Sequence, residues 1–498
     1  MKKRILGVLL ACVLALGTLP AVQAAGLPAS PEDVWGMDGV FVQLNGAFLT
    51  FPDAQPEIRN GRVMAPFRTI AEALGMEVAF REGAIAASND AVQLRFRVGE
   101  ASYWKSTGDG ALSTAAPMDA APYIKAGRTY VPVRFFAEAL GLQVEWCENT
   151  VVILDREQLT AQVDRDFTIL NKALAQKADL DSGKVTRTAF ELAMQLTLLD
   201  SLDGDKTCPT TLHVVSDRLG QSAHLTIQMD VRKFVDLLLD ALADNPWYPE
   251  EEQSALLFET IRKAADAGDF EMIYNADTET LYCKSAMLVE LAKAYTPLDV
   301  QNIDGKKIWF QIALEGMDEE LSEMQTNGLA LPQGVTVGEL LYDETAYPLT
   351  RAEQLETSHA ALRLLVGDDA FTAAGGTHTV RFDVKPQDTD PVAAALAEYG
   401  IVSLRGTLTV PDSGVLACDL SGRMETFLNA AEFTVKGSYR ADRLHLDVTA
   451  HVRNTAKLAL SMDVSLTQPD VSPPDAPPED ELVLNLTSLM GTDAIFAP

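Results

Sequence analysis

Apolar and polar residues alternate along Phe190–Leu198, and again in Thr211–Val215, His224–Met229, Lys307–Leu314, Thr377–Val384 and Ser403–Val410. Val415–Met424, Glu432–Ser438, Leu444–Val452 and Lys457–Leu466 continue the series. A period of two predicts strands with one apolar and one polar face, and long half-polar strands with short turns predict an antiparallel sheet. Apolar residues spaced three and four apart interrupt the series near 231–243, 251–267, 285–295 and 350–366. These segments predict helices that cover one face of the sheet. The expected class is α+β, with a large antiparallel sheet domain over residues 156–467, dividing near 345. Asp155–Lys177 predicts one amphipathic helix through Val163, Phe167, Leu170 and Leu174. Gln468–Glu481 is rich in Pro and Asp and reads as an extended linker, followed by a tail over 482–498 whose start is apolar.

The N-terminal pattern is different. Lys2, Lys3 and Arg4 precede an apolar run from Ile5 to Leu19, and Pro20 breaks it. Val22-Gln23-Ala24 then places small residues where a signal peptidase reads them, so residues 1–24 are expected to be a signal peptide cut between Ala24 and Ala25. No later stretch is apolar enough to predict a transmembrane helix in the mature chain.

Between these regions one motif occurs twice at an offset of 66 residues. The first copy is Pro56-Glu57-Ile58-Arg59-Asn60-Gly61-Arg62-Val63-Met64-Ala65-Pro66-Phe67-Arg68, followed by Thr69-Ile70-Ala71-Glu72-Ala73-Leu74-Gly75. The second is Pro122-Tyr123-Ile124-Lys125-Ala126-Gly127-Arg128-Thr129-Tyr130-Val131-Pro132-Val133-Arg134, followed by Phe135-Phe136-Ala137-Glu138-Ala139-Leu140-Gly141. Gly61 and Gly127 mark tight hairpin turns. Pro66 and Pro132 stand at helix entries, where a missing N–H costs nothing. Gly75 and Gly141 follow the last helical turn as left-handed caps. Arg68 with Glu72, and Arg134 with Glu138, form i, i+4 pairs of structural rather than ligand-binding type. Met76–Phe80 and Leu142–Trp146 then alternate as strands. Each copy reads as hairpin, short helix and strand.

The repeated Gly-Arg, Pro-x-Arg and Ala-Glu-Ala-Leu-Gly elements, with the opening Val42-Gln43-Leu44-Asn45-Gly46, resemble the copper amine oxidase N-terminal-like, or stalk, domain over residues 38–155. The resemblance implies a small α/β module on a secreted or wall-associated protein. It does not imply copper chemistry. Residues 1–212 contain no histidine, and a copper site of that type needs three imidazoles. The C-terminal strands, with the Asp304-Gly305-Lys306 turn and Trp309, resemble the half-barrel lipoprotein-carrier folds of bacterial envelopes, which implies a hydrophobic ligand on the sheet.

Candidate chemistry is sparse. Cys147, Cys208, Cys283 and Cys418 lack C-x-x-C spacing and allow three disulfide pairings in an exported chain, of which Cys208 with Cys283 is the candidate, with free thiols as the alternative. His213, His224, His359, His378, His445 and His451 include no H-E-x-x-H pair. His445, Asp447, Thr449 and His451 share one strand face, expected to be solvated rather than metal-binding. Asp179-Leu180-Asp181 lacks the later ligands of a calcium loop and reads as a polar turn. No catalytic, cofactor or metal residue is assigned.

Charge narrows the partners. The chain carries 71 acids and 40 bases, a net of -31. That argues against nucleic acid and anionic lipid as partners. Residues 156–498 hold 55 acids against 27 bases, while residues 40–155 hold 13 against 10, so the acidity lies in the C-terminal region. The expected function is that of a secreted, non-catalytic bacterial envelope protein. Its stalk-like module would attach to a cell-surface or wall component or a protein partner, and its sheet would bind a ligand or protein. The alternative is a secreted hydrolase using a carboxylate pair.

Overall fold

A computed structural model describes residues 39–107, 115–199, 204–243, 252–295, 304–313, 334–345, 347–385, 400–425 and 430–485, with Val392 and Leu396. The expected signal peptide and its Ala24–Ala25 cleavage site lie outside these residues. Two compact units divide the chain. One contains the described residues up to Phe167 and Thr336–Leu364, and the other contains those of Thr168–Val335 and from Leu365 onward.

In the first unit the repeat is a structural repeat. The first copy forms β3 (Glu57–Arg59), β4 (Arg62–Pro66), α1 (Phe67–Ala73), β5 (Glu77–Arg81) and β6 (Ala84–Ser88). The second forms β10 (Tyr123–Lys125), β11 (Arg128–Pro132), α2 (Val133–Ala139), β12 (Gln143–Cys147) and β13 (Thr150–Leu154), every bound displaced by 66 residues. Positive φ at Asn60 and Gly61 (52° and 72°), and at Ala126 and Gly127 (49° and 74°), makes both hairpin turns of the type that matches strand twist. Gly75 and Gly141 also take positive φ, as helix C-termini favour.

Strands β4 and β11 join the halves. They pair antiparallel with Ala65 opposite Val131, which are repeat equivalents. A local two-fold axis therefore passes through that pair. The resulting sheet has the order β10-β11-β4-β3. A second sheet, β12-β13-β1-β2, takes in β1 (Phe41–Leu44) and β2 (Ala47–Phe48), and a third runs β5-β6-β7-β8-β9. Its further members are β7 (Val92–Arg97), β8 (Ser102–Thr107) and β9 (Ala116–Pro117). The core is aromatic at its centre, with Phe67 edge-on to Phe96 at 5.0 Å and to Phe136 at 4.9 Å.

Two distant helices complete this unit. In α8 (Val337–Glu344), Thr336 and Glu339 form a reciprocal capping box. This helix packs on α3 (Arg156–Asp164), with Gly338 N–H donating to Asp164 at 2.8 Å. Helix α9 (Arg351–Val366) supplies Arg351, which binds Glu145 of β12 at 2.6 Å.

The single helix expected over 155–177 is instead two. Helix α3 ends at Asp164, and α4 (Thr168–Leu174) begins after Phe167, where the two units divide. Asp368 supplies the missing cap to α4, accepting from the amides of Thr168 and Ile169 at 3.0 and 2.9 Å.

The second unit is a 14-stranded sheet. Its order is β20-β21-β22-β23-β24-β25-β26-β14-β15-β16-β17-β18-β19-β27. The first half comprises β20 (Thr372–Ala374), β21 (Thr377–Val384), β22 (Ile401–Pro411), β23 (Leu416–Glu425), β24 (Ala430–Arg440), β25 (Arg443–Val452) and β26 (Ala456–Thr467). The second comprises β14 (Thr186–Leu198), β15 (Lys206–Leu219), β16 (Ser222–Asp230), β17 (Phe270–Asn275), β18 (Thr280–Ser285), β19 (Ile308–Ala313) and β27 (Leu482–Asn485). All pairings are antiparallel except β19 with β27. The α+β class follows. Helix α5 (Arg232–Ala243) packs on β15, and α4 packs on β22–β24. Helix α6 (Glu252–Asp266) packs on α7 (Ala286–Tyr295).

The apolar row of β14 is less covered than its pattern implies. Phe190 is buried, but Leu192, Met194, Leu196 and Leu198 are half-buried. A 13-residue strand extends roughly 43 Å, while a 12-residue helix spans roughly 18 Å. One helix cannot roof such a row.

The candidate Cys208–Cys283 disulfide is not formed, and both cysteines are free, as in the alternative reading. Cys208 lies on β15 and Cys283 on β18, with β16 and β17 between them. The pairing register puts Cys283 level with Ser216 on β15, eight residues from Cys208, so three strand intervals of roughly 14 Å add to roughly 27 Å along the strand, far beyond the roughly 7 Å that a bridge tolerates between Cα atoms.

Candidate binding grooves

The symmetry of the N-terminal unit produces two equivalent grooves. Groove I, of about 540 Å³, lies between the β10–β11 hairpin and the α1–β5 segment. Ile124 forms one wall and Val78, Phe80 and Ile85 the other. Groove II, of about 330 Å³, lies between the β3–β4 hairpin and the α2–β12 segment. Ile58 forms one wall and Val144, Trp146 and Val151 the other. Each wall residue of one groove is displaced by 66 from its counterpart in the other.

Each wall is apolar and exposes one large side chain, while Ile85 and Val151 are buried at its base. Ile58 is 58% exposed, Ile124 53%, Phe80 48% and Trp146 46%. Period two explains why they stand there. Ile58 and Ile124 share a strand face with the buried Ala65 and Val131, but sit on outer strands where the core ends.

An ion pair crosses from one half to the other at each groove. Arg128 of the second copy binds Asp53 at 2.6 Å, and Arg62 of the first binds Asp119 at 2.6 Å. Arg68 and Glu72 line groove I, and Arg134 lines groove II. The two i, i+4 pairs are loose, 3.9 Å each, and exposed. Pro66 and Pro132 cap α1 and α2 at the groove floors, and Gly61 and Gly127 turn the hairpins beside them. Most of the motif residues thus lie at the grooves, while Gly75, Glu138 and Gly141 line neither. The Asp53 and Asp119 partners fall outside the quoted motif, and only their own 66-residue offset signals them.

The opposite face of the central sheet carries a polar aromatic cluster. Tyr123 and Tyr130 stack at 5.2 Å, and the Arg59 guanidinium lies 4.2 Å over Tyr123. Tyr123 donates to Glu57 at 2.7 Å, and Lys125 also binds Glu57. Burial, reinforced by Glu57, pushes the Tyr123 phenol up to about 12. The hydrogen bonds from Lys125 and Tyr123 hold Glu57 below the usual carboxylate range.

On the large sheet, His445 bridges Asp463 and Asp447, each at 3.1 Å. Thr449 and His451 are exposed farther along the same face, as the strand period requires. Burial opposes protonation of His445, but the two carboxylates outweigh it and raise its pKa. Asp181 accepts from the Gly183 amide at 2.9 Å in a polar turn. Among the described residues no three His, Cys, Asp or Glu side chains converge on a metal-sized site. No described helix is long and apolar enough to cross a membrane.

No curated protein matches the chain. The crystal structure of Neisserial surface protein A aligns with 56% of this chain and 96% of its own, at 5% identity and a TM-score of 0.10. Residues 43–154, which span both grooves and the repeat that builds them, match the copper amine oxidase N-terminal domain.

Proposed function

We propose that the chain is a secreted, non-catalytic protein of the bacterial envelope, and that its N-terminal unit attaches it to a surface component or partner. The observation that carries this reading is the pair of grooves. Both copies of the repeat hold a large apolar side chain in solvent at the same two positions. Exposed apolar groups clustered beside polar ones are a mark of interaction surfaces. The family match supports the reading, because it extends over the N-terminal domain of the copper amine oxidases alone. The test is sedimentation of the full chain with envelopes of the producing bacterium. Wild type should pellet with them, and Phe80→Ser/Trp146→Ser should remain in the supernatant. Equal recovery of both in the supernatant would overturn the reading.

The large sheet supports a second role, in holding a hydrophobic ligand. Its support is the half-buried row Leu192, Met194, Leu196 and Leu198. Each methylene buried there would contribute about 0.8 kcal/mol. Native mass spectrometry of the protein purified from cells should show a co-purified lipid. A lipid-free mass and no saturable fatty-acid binding would remove this role.

A further inference from the structure

We infer that each groove receives an extended segment of a partner protein, apolar at alternate positions, which adds as a strand to the open edges beside it. This deepens the attachment reading and rests on it. The decisive relationship is between the exposed walls and the sheet edges. Ile124 lies on β10 and Ile58 on β3, the two outer strands of the central sheet. Phe80 lies on β5, an outer strand of the third sheet, and Trp146 on β12, an outer strand of the second. Each groove is therefore framed by two outer strands from different sheets. Among the described residues these strands have sheet partners on their inner sides alone.

An outer strand carries main-chain donors and acceptors spaced for another strand. An incoming extended segment satisfies them with its own backbone, and its alternate side chains enter pockets on one face. The Ile124–Phe80 and Ile58–Trp146 slots are such pockets. A saccharide has no backbone amides with which to continue a sheet, so the edges favour peptide over glycan. The charges select further. At each groove the guanidinium that crosses between halves is matched by a carboxylate at 2.6 Å, so the segment needs no charge of its own. Two repeat-related grooves also mean that a partner offering two such segments is bound through both, at a high effective concentration for the second.

The test selects a library of random dodecapeptides on the full chain, with counter-selection on Phe80→Ser/Trp146→Ser. Enriched peptides should alternate apolar and polar residues, and two should bind per chain. Phe80→Ser alone or Trp146→Ser alone should leave one site, and the double variant none. Ile58→Ser/Ile124→Ser, which alters the opposite walls, should weaken binding at least tenfold. Hydrogen exchange with bound peptide should slow at the amides of β5, β10, β3 and β12. Thermal melts of all variants verify folding. Soluble wall glycan fragments form the second arm. Glycan binding lost in the same variants, without peptide enrichment, overturns the strand-addition inference and leaves the attachment reading standing. Peptides that bind the double variant equally, or no binding in either arm, overturn it as well, and the latter removes the attachment reading of the grooves with it.

Discussion

Glu57 and Tyr123 occupy equivalent positions in the two copies of the repeat, yet they bind each other, the Tyr123 hydroxyl donating to Glu57 at 2.7 Å. The local two-fold axis through Ala65 and Val131 brings equivalent positions to the same face of the sheet. If the residues were identical, the pair would be Glu–Glu or Tyr–Tyr. The difference between the copies at this position makes the pair a hydrogen bond rather than a repelling or neutral contact.

The pair makes stability depend on pH at both ends. Tyr123 titrates at about 12 in the folded chain and at about 10 when unfolded. Its contribution is complete below pH ~10 and is lost as pH rises toward ~12, because the unfolded state loses its proton first. Glu57 is depressed, so its contribution is present above the ordinary carboxylate pKa and is lost as pH falls through its folded value. Tyr123→Phe keeps the stack on Tyr130 and removes the phenol. Melting temperature measured from pH 8 to 12 should fall less steeply for this variant than for wild type. Parallel curves would mean that Tyr123 does not titrate as described.

The cross-half ion pairs should differ despite their equal lengths. The Asp119 side chain is 29% exposed and Asp53 61%. Water screens the second pair more. Arg62→Ala should therefore cost more than Arg128→Ala, both within about 0.2–1 kcal/mol. Urea unfolding of the two variants compares them directly, and a reversed order would contradict the stated burial.

Helix α8 approaches α3 so closely that a Cβ on Gly338 would lie 2.3 Å from the Thr160 carbonyl oxygen. Backbone atoms cannot yield as a flexible side chain does. Gly338→Ala should destabilise the N-terminal unit by about 1–3 kcal/mol, although alanine is the better helix former. Calorimetry should show the lower-stability transition confined to that unit. An unchanged melt would show that the helices separate freely.

The hairpins, helix entries and caps of the repeat are legible in sequence because each depends on a residue with special backbone physics. Gly61, Gly127, Gly75 and Gly141 all adopt positive φ, and few residues tolerate that. The long strands are legible through their period of two. The break between α3 and α4 is not. Val163, Phe167, Leu170 and Leu174 continue a helical period across it, and the cap that restarts the helix comes from Asp368, about 200 positions later. The grooves are hidden for a related reason. Ile58, Phe80, Ile124 and Trp146 look like core residues in a strand pattern, and only the edge positions of their strands leave them in solvent. Strand order also decides the cysteines, since nothing local to Cys208 or Cys283 states how many strands separate them.

The C-terminal segment is tied to the large sheet by charge rather than by apolar burial, and this can be measured. Strand β27 exposes Leu482 and Val483, and its four residues pair with β19 alone. Just before it, Glu481 accepts from the indole of Trp309, which is fully buried, and binds Lys284 at 3.0 Å. Lys284 also binds Glu271 at 2.9 Å and lies 4.6 Å from the centre of the Trp309 ring. Burial disfavours the charge on Lys284, but the two carboxylates outweigh it and raise its pKa. Burial likewise opposes ionisation of Glu271, and Lys284 with His224 outweighs that, so Glu271 is depressed. Removing the ammonium in Lys284→Met leaves two carboxylates facing each other in a partly buried site. That should cost about 1–3 kcal/mol and release β27, seen as fast hydrogen exchange at Leu482–Asn485. Adding Glu481→Gln to Lys284→Met removes one of the facing charges and should recover part of the loss, as coupled sites do. If Lys284→Met and the double variant are equally unstable, repulsion between Glu271 and Glu481 is not what the lysine relieves.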